Sequence, residues 1–255
     1  MSAQSEPSSA DPPVPPQGSP SYVLAVNPEG IVAIPNAVRA ATGIVGLCGR
    51  GLTIEQVDHA LHRTAYARGQ FEALQTGQID LNRYAHDLAE ALRFQTGISH
   101  INAEELAEAI KQTHAAIFDM DPWPAKELER MRSEAGGRLT IAPWTSTSQE
   151  RAAWLERITN PLFAGAVPWT SQDARIPATD PRFFQRGLQR VGAALNRAEE
   201  DLAERGITFI SAREEEVRAA RACKIIAFPF KPYEAGGTGF TELEKHLRTV
   251  FNLKP

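Results

Sequence analysis

The chain has 255 residues, 42% of them hydrophobic and 23% charged, with a formal net charge of -4, which suits a globular protein with a sizeable core. The mildly acidic balance, with no concentrated stripe of Lys and Arg, argues against nucleic acid as the main partner, because phosphate binding needs clustered cations. A small-molecule ligand or a protein partner is expected instead. Cys48 and Cys223 stand far apart without metal-ligand spacing and are expected as small buried residues.

Residues 1–20 (MSAQSEPSSADPPVPPQGSP) are dominated by Pro and Ser, so a disordered tail is expected there. No basic region followed by an apolar run opens the chain, and no stretch reaches the length of a membrane span. A cytoplasmic protein with no membrane partner is the expectation. Order is expected to begin at SYVLAV, a short buried strand bounded by Pro20 and by Asn27-Pro28.

From GLTIEQ the pattern turns helical: Thr53 and Gln56 form a capping box, and Ile54, Val57 and Leu61 recur at spacings of three and four. Helices are predicted through FEALQTG, LNRYAHDLAEALRFQTG and NAEELAEAIKQTHAAI, the last with Asn102 and Glu105 at cap positions. Residues 51–118 thus read as an all-helical insert with no strand, and His59, His62, His86 and His114 fall in it without a ligand set of familiar spacing.

Beyond it the spacing predicts a helix AKELERMRSEAGG, a strand RLTIAPW, a helix SQERAAWLERI and an apolar segment FAGAVPW. One long helix opened by Asp180-Pro181 follows, then the strand ITFI, the helix REEEVRAARA and the strand KIIAFPF. Strands alternating with helices imply a doubly wound α/β core with a parallel sheet. The expected division is a tail at 1–20, a core at 21–50 and 119–255, and a helical cap at 51–118.

In such a sheet ligands bind beyond the carboxyl ends of the strands. Those ends carry Asn27 and Glu29, then Trp144, Thr145 and Ser146, then Thr170-Ser171, then Ser211 and Arg213. The stretch AAIFDMDPWP also sets two aspartates, Asp119 and Asp121, one residue apart after an apolar run.

This order of segments resembles the haloacid dehalogenase-like (HAD) superfamily, in its branch with a helical cap after the first strand. VLAVNPEGIVAI is similar to the family's first strand and loop, FEALQTGQIDLNRYAHDLAEAL to its cap, and LERMRSEAGGRLTIAPWTSTSQERAAWLERI to the helix, strand and hydroxyl-bearing loop that follow. ARIPATDPRFFQRGLQRVG is similar to its lysine-proline segment and ITFISAREEEVRAARACKIIAF to its final acidic loop. The resemblance implies an aspartate nucleophile and an aspartate acid/base in the first loop, whose places hold Asn27 and Glu29.

A neutral amide cannot attack phosphorus. Ala178 stands where the family's lysine is implied, and Ser211 and Ala212 replace its final acidic pair. Magnesium prefers carboxylate oxygens, so no cofactor is expected and Mg2+ least of all. The pair Asp119 and Asp121 reads as the return linker from cap to core, with Pro122 and Pro124 part of that linker.

Glu29 is the one catalytic candidate, as an acid or base at a strand end. Asn27, Thr145, Ser146, Trp144, Trp169, Arg175, Ser211 and Arg213 are candidates for a ligand pocket, with Trp123, Trp144 and Trp169 expected either at its mouth or in ordinary packing between cap and core. Ser211 and Glu214 also read as a capping box, and Thr147 or Ser148 as a cap for the helix after it. Three functions remain open: a catalytically degenerate HAD-like protein acting by ligand or protein binding, an enzyme with reassigned chemistry such as an isomerase, cyclase or lyase, and a residual Mg-dependent phosphatase.

Overall fold

Tyr22–Val26 (β1) sends Tyr22, Leu24 and Val26 to one face of a sheet and Val23 and Ala25 to the other, the alternation of a strand buried on both sides. The computed structural model describes residues 22–48, 51–114, 118–120, 122–147, 151, 162–163, 166, 168–231 and 240–252. The tail expected at 1–20, Asp121 and nearly all of SQERAAWLERI lie outside the described residues.

Five parallel strands pair in the order β5-β4-β1-β6-β7, where β4 is Leu139–Thr145, β5 Trp169–Thr170, β6 Ile207–Ser211 and β7 Ile226–Pro229. Val26 registers with Pro143 on one side and Ile210 on the other, which sets the carboxyl ends of β4, β1 and β6 side by side. This is the doubly wound α/β sheet that the alternating pattern implies. Helices Pro122–Glu134 (α6) and Phe240–Phe251 (α11) cover one face through Leu128, Met131, Leu243, Leu247 and Phe251. On the other face Pro181–Leu195 (α8), Glu199–Arg205 (α9) and Glu214–Ala222 (α10) bury Phe183, Phe184, Leu202 and Val217.

The segment read as one helix from Asp180 is two. Asn196 takes a left-handed conformation, φ 51°, and ends α8, so α9 can fold back against β6. Gly187 lies on the α8 face that meets the sheet, where a Cβ would stand 2.6 Å from the Trp144 ring. The absence of a side chain there sets how closely α8 approaches β4.

Between the first and second halves of the core lies a helical insert: Ala37–Cys48 (α1), Ile54–Asp58 (α2) running into a π-helical turn His59–Arg63, Ala65–Gln75 (α3), Leu81–Thr96 (α4) and Ala103–His114 (α5). It has its own core, which takes in Ala41 and Ile44 of α1 as well as Val57, Leu74, Leu92 and Leu106. Ala41 and Ile44 precede the expected boundary at 50/51. The insert is entered and left through a two-stranded antiparallel ribbon, Ala33–Pro35 (β2) against Phe118–Met120 (β3), in which Asp119 registers with Ile34. The expected strandless run thus ends in a strand at Phe118, and Pro122 and Pro124 lie in the first turn of α6, where a proline's missing N–H costs no helical bond. Cys48 and Cys223, expected as buried, are partly exposed and form no disulfide. Among the described residues no helix is long and apolar enough to cross a membrane.

Candidate functional site

The loop after β1 turns on Asn27. Its side-chain carbonyl accepts the Glu29 N–H at 3.1 Å, a local turn that asparagine supplies, and its amide is left pointing across the strand ends. That amide donates to Glu216 Oε2 at 2.6 Å. Ser211 Oγ donates to the same oxygen at 2.6 Å, and accepts the Arg213 N–H at 3.0 Å. Gly30 lets the two loops meet: φ is 84°, and a Cβ would lie 2.7 Å from the Ala212 Cβ.

Glu29 sits beside this knot, 2% exposed. Arg151 grips it with an ion contact, Nε to Oε1, at 3.0 Å and a hydrogen bond from Nη2 to Oε2 at 3.2 Å. Arg213 reaches it from the other side, Nη2 to Oε2 at 3.3 Å, while its Nη1 lies 3.6 Å from Glu216 Oε1. One guanidinium therefore bridges the two buried carboxylates. The Phe71 ring of α3 lies 5.8 Å from the Arg151 guanidinium carbon, so the insert covers the ion pair.

The electrostatics follow from burial. Desolvation pushes the Glu216 carboxyl above its ordinary value, against the pull of Arg213, Ser211 and Asn27. Desolvation likewise holds Arg151 below the usual arginine range, with Glu29 opposing and Arg213 adding to the shift.

The insert is also tied to the core at the end of β4. Gln75 Nε2 donates to the Ser146 carbonyl at 3.0 Å, and Ser171 Oγ donates to the Gln75 carbonyl at 2.8 Å. Ser171 Oγ in turn accepts the Thr147 N–H at 2.9 Å. Ser146 Oγ accepts the Ala178 N–H at 2.9 Å. The Thr145 hydroxyl is buried at the same strand end, with no hydrogen-bond partner among the described residues.

The structure thus brings Asn27, Glu29, Ser211 and Arg213 together and sets Thr145 and Ser146 on the neighbouring strand end. It separates the other candidates. Trp144 and Trp169 are core residues packed with Phe183, and Trp169 Nε1 donates to the Phe183 carbonyl at 3.1 Å. They line the inner face of α8, inside the core and not between the insert and the core. Trp123 is 46% exposed and packs on Phe240 at the other side of the sheet. Arg175 is exposed and ends the short helix Ser171–Ala174 (α7) in a left-handed conformation, φ 53°.

The capping box read at Ser211 and Glu214 does not form: Ser211 serves Glu216, and Glu214 is an exposed partner of Lys231 at 3.5 Å. Arg213 is the N-cap of α10 and makes no side-chain cap bond. Ser148 lies outside the described residues, and Thr147 bonds to Ser171 through its backbone.

Glu216 and Arg151 are the two site residues that sequence reasoning missed. Glu216 is the third of three consecutive glutamates, and only its position one turn after a strand end separates it from its exposed neighbours Glu214 and Glu215. Arg151 stands in a helix opening that reads as surface. Among the described residues, one grouping of His and acids comes within common reach of an ion, His86, Asp87 and Glu90 on α4; Asp87 is already held by Arg83 at 3.1 Å.

No family model matches the chain, and no curated protein matches its sequence. Solved structures match its fold. It is similar to a HAD family enzyme from Bacteroides thetaiotaomicron, solved in complex with magnesium and inorganic phosphate, at a TM-score of 0.58 and 12% identity over 85% of this chain and 97% of that one. It is similar to a defluorinating L-2-haloacid dehalogenase at 0.59 and 15% identity, over 89% of this chain and 95% of that one. Another L-2-haloacid dehalogenase matches at 0.55 and 14% identity, over 89% and 99% of the two chains. The chain therefore has the fold of the haloacid dehalogenase-like proteins, a parallel α/β core with helical elements.

Proposed function

We propose that this protein is a non-hydrolytic protein of the HAD-like fold that acts by binding a small ligand or a protein partner, its helical insert serving as a fixed cap over the strand-end site. The observation that carries this reading is the Asn27 amide bonded to Glu216 at 2.6 Å. At the place where the resemblance implies a nucleophilic carboxylate, a neutral donor is committed to a buried acceptor.

The donor set also does not fit a divalent cation. Magnesium takes carboxylate oxygens in a demanding octahedral arrangement. Here Arg213 reaches both Glu29 and Glu216, and Arg151 holds Glu29 a second time, so cationic groups already stand against both carboxylates. No step through a metal is part of this reading. The same pairs weigh against Glu29 as a working acid or base, because its oxygens face two arginines and it is 2% exposed.

The test is a thermal-shift screen of the purified chain against phosphorylated and non-phosphorylated metabolites, each with and without magnesium. A ligand at one hundred times its dissociation constant adds about 2.7 kcal/mol and raises the midpoint by roughly 5–10 °C for a chain of this size. The reading predicts shifts that are the same with and without magnesium. Stabilisation by phosphate compounds that requires magnesium contradicts it, and turnover of an organic substrate that is lost in Glu29→Gln replaces it with the reassigned enzyme.

A further inference from the structure

The helical insert contains a pocket of its own, apart from the strand-end site and independent of the reading above. It lies where the π-helical turn, α3 and α4 meet, and small residues open it: Ala60, Ala67 and Ala91, one from each element, face a common space of about 380 Å³. Leu88 and Phe94 complete its apolar wall, and Phe94 stands almost fully exposed at 96%. The volume falls within the range of small-molecule sites, about 300–1,000 Å³. A π-helical turn in such a wall is an element often found at functional sites.

His59, Thr64, Gln70 and Gln95 border the pocket as less buried residues, and Tyr84 is its buried polar residue without a partner among the described residues. The residue is 4% exposed and lines the cavity, its ring 6.3 Å from Phe71, and its hydroxyl makes no hydrogen bond among the described residues. Burial alone raises the pKa of that hydroxyl above the ordinary tyrosine value, with no bonding partner contributing. The ring is buried while the hydroxyl oxygen is not sealed from the cavity, so a bound molecule can take the hydrogen bond that water otherwise supplies. The other buried polar group in the wall, the Asp87 carboxylate, is already paired with Arg83.

We infer that this pocket binds an apolar organic molecule carrying one hydroxyl or carbonyl group, held by shape against Ala60, Ala67, Leu88 and Ala91 and oriented by a hydrogen bond to the Tyr84 hydroxyl. Recognition is by hydrophobic burial with the Tyr84 hydroxyl as the orienting contact, and no Lys or Arg lines the pocket to hold a phosphorylated or multiply anionic molecule.

The experiment is equilibrium dialysis of the full chain with 4-phenylphenol and its near-isostere 4-methylbiphenyl. Both bind saturably, one per chain, and 4-phenylphenol binds about two- to tenfold more tightly, the value of one hydrogen bond. Tyr84→Phe removes that advantage while leaving 4-methylbiphenyl unchanged. Ala91→Trp, which fills the pocket from its rim, weakens both at least about tenfold. Matching circular dichroism spectra and melting curves establish that each variant is folded; if Ala91→Trp does not fold, Tyr84→Phe decides alone. Absence of binding by both compounds overturns the inference. So does equal affinity for the two in the wild type, or an advantage of 4-phenylphenol that survives Tyr84→Phe.

Discussion

Asn27 and Glu216 lie 189 residues apart in the chain and are joined by a 2.6 Å hydrogen bond between a side-chain amide and a carboxylate that is wholly buried. The bond ties the loop after β1 to the first turn of α10 and commits one of the two amide hydrogens of Asn27. Asn27→Asp sets a second carboxylate against Glu216. The expected result is a fold weakened by about 2–5 kcal/mol near pH 8, with part of the loss recovered near pH 5 as the pair comes to share a proton. Urea unfolding at the two pH values checks this.

The Glu29–Arg151 pair is nearly closed to water, with side chains 1% and 7% exposed. Arg151→Met leaves Glu29 with Arg213 alone and is expected to cost about 3–5 kcal/mol, the range for stranding a buried charge. Glu29→Leu in the same chain is expected to recover much of that cost. A double-mutant cycle by urea unfolding measures the coupling, and additive losses would show that the pair is not coupled.

Glu216 predicts how stability depends on pH. Its carboxyl is raised in the folded state by burial, so the native protein holds a proton that the unfolded chain releases, and stability falls as pH rises from the ordinary glutamate value through the folded one. Glu216→Gln is expected to remove that loss, so that its melting temperature relative to wild type climbs between pH 4.5 and pH 8.

His246 acts in the opposite direction. Its Nε2 lies 3.0 Å from both the Tyr22 and Thr208 hydroxyls, which are themselves 2.6 Å apart, and desolvation lowers its proton affinity below the ordinary value of 6.5. The unfolded chain takes up a proton first, so stability drops as pH falls below 6.5 towards the folded value. His246→Phe is expected to flatten that limb of a melting-temperature profile and to leave the profile above pH 7 unchanged in shape.

Gly187→Ala tests the packing of α8 on the sheet. Alanine is the better helix former, but its Cβ would press on the Trp144 ring at 2.6 Å. Net destabilisation of about 1–2 kcal/mol is expected, read as a lower midpoint in thermal melting. A rise in the midpoint would show that Trp144 can give way.

The α/β core was legible because its strands are short, apolar and bounded by turn residues, as in SYVLAV and ITFI, and both faces of the sheet bury them. The loop residues Asn27, Glu29, Ser211 and Arg213 were legible as a group because a doubly wound sheet brings its strand ends together whatever the side chains are. What Glu216 does was not legible. A run of three glutamates at a helix start satisfies the helix dipole equally well at every position, and only the packing of α10 under the β1 loop sends the third one inward. The place of Trp144 and Trp169 was open for a related reason: a strand end opens to ligands or to core according to what covers it, and α8, with Gly187 at the contact, covers them.

On the proposed function, the site formed by Asn27, Glu29 and Glu216 is expected not to hydrolyse phosphate esters. The most direct measurement is hydrolysis of p-nitrophenyl phosphate by the purified wild type and by Asn27→Ala, each with and without magnesium. No release of p-nitrophenol above buffer is expected in any of the four reactions. Magnesium-dependent turnover by the wild type that disappears in Asn27→Ala would contradict it.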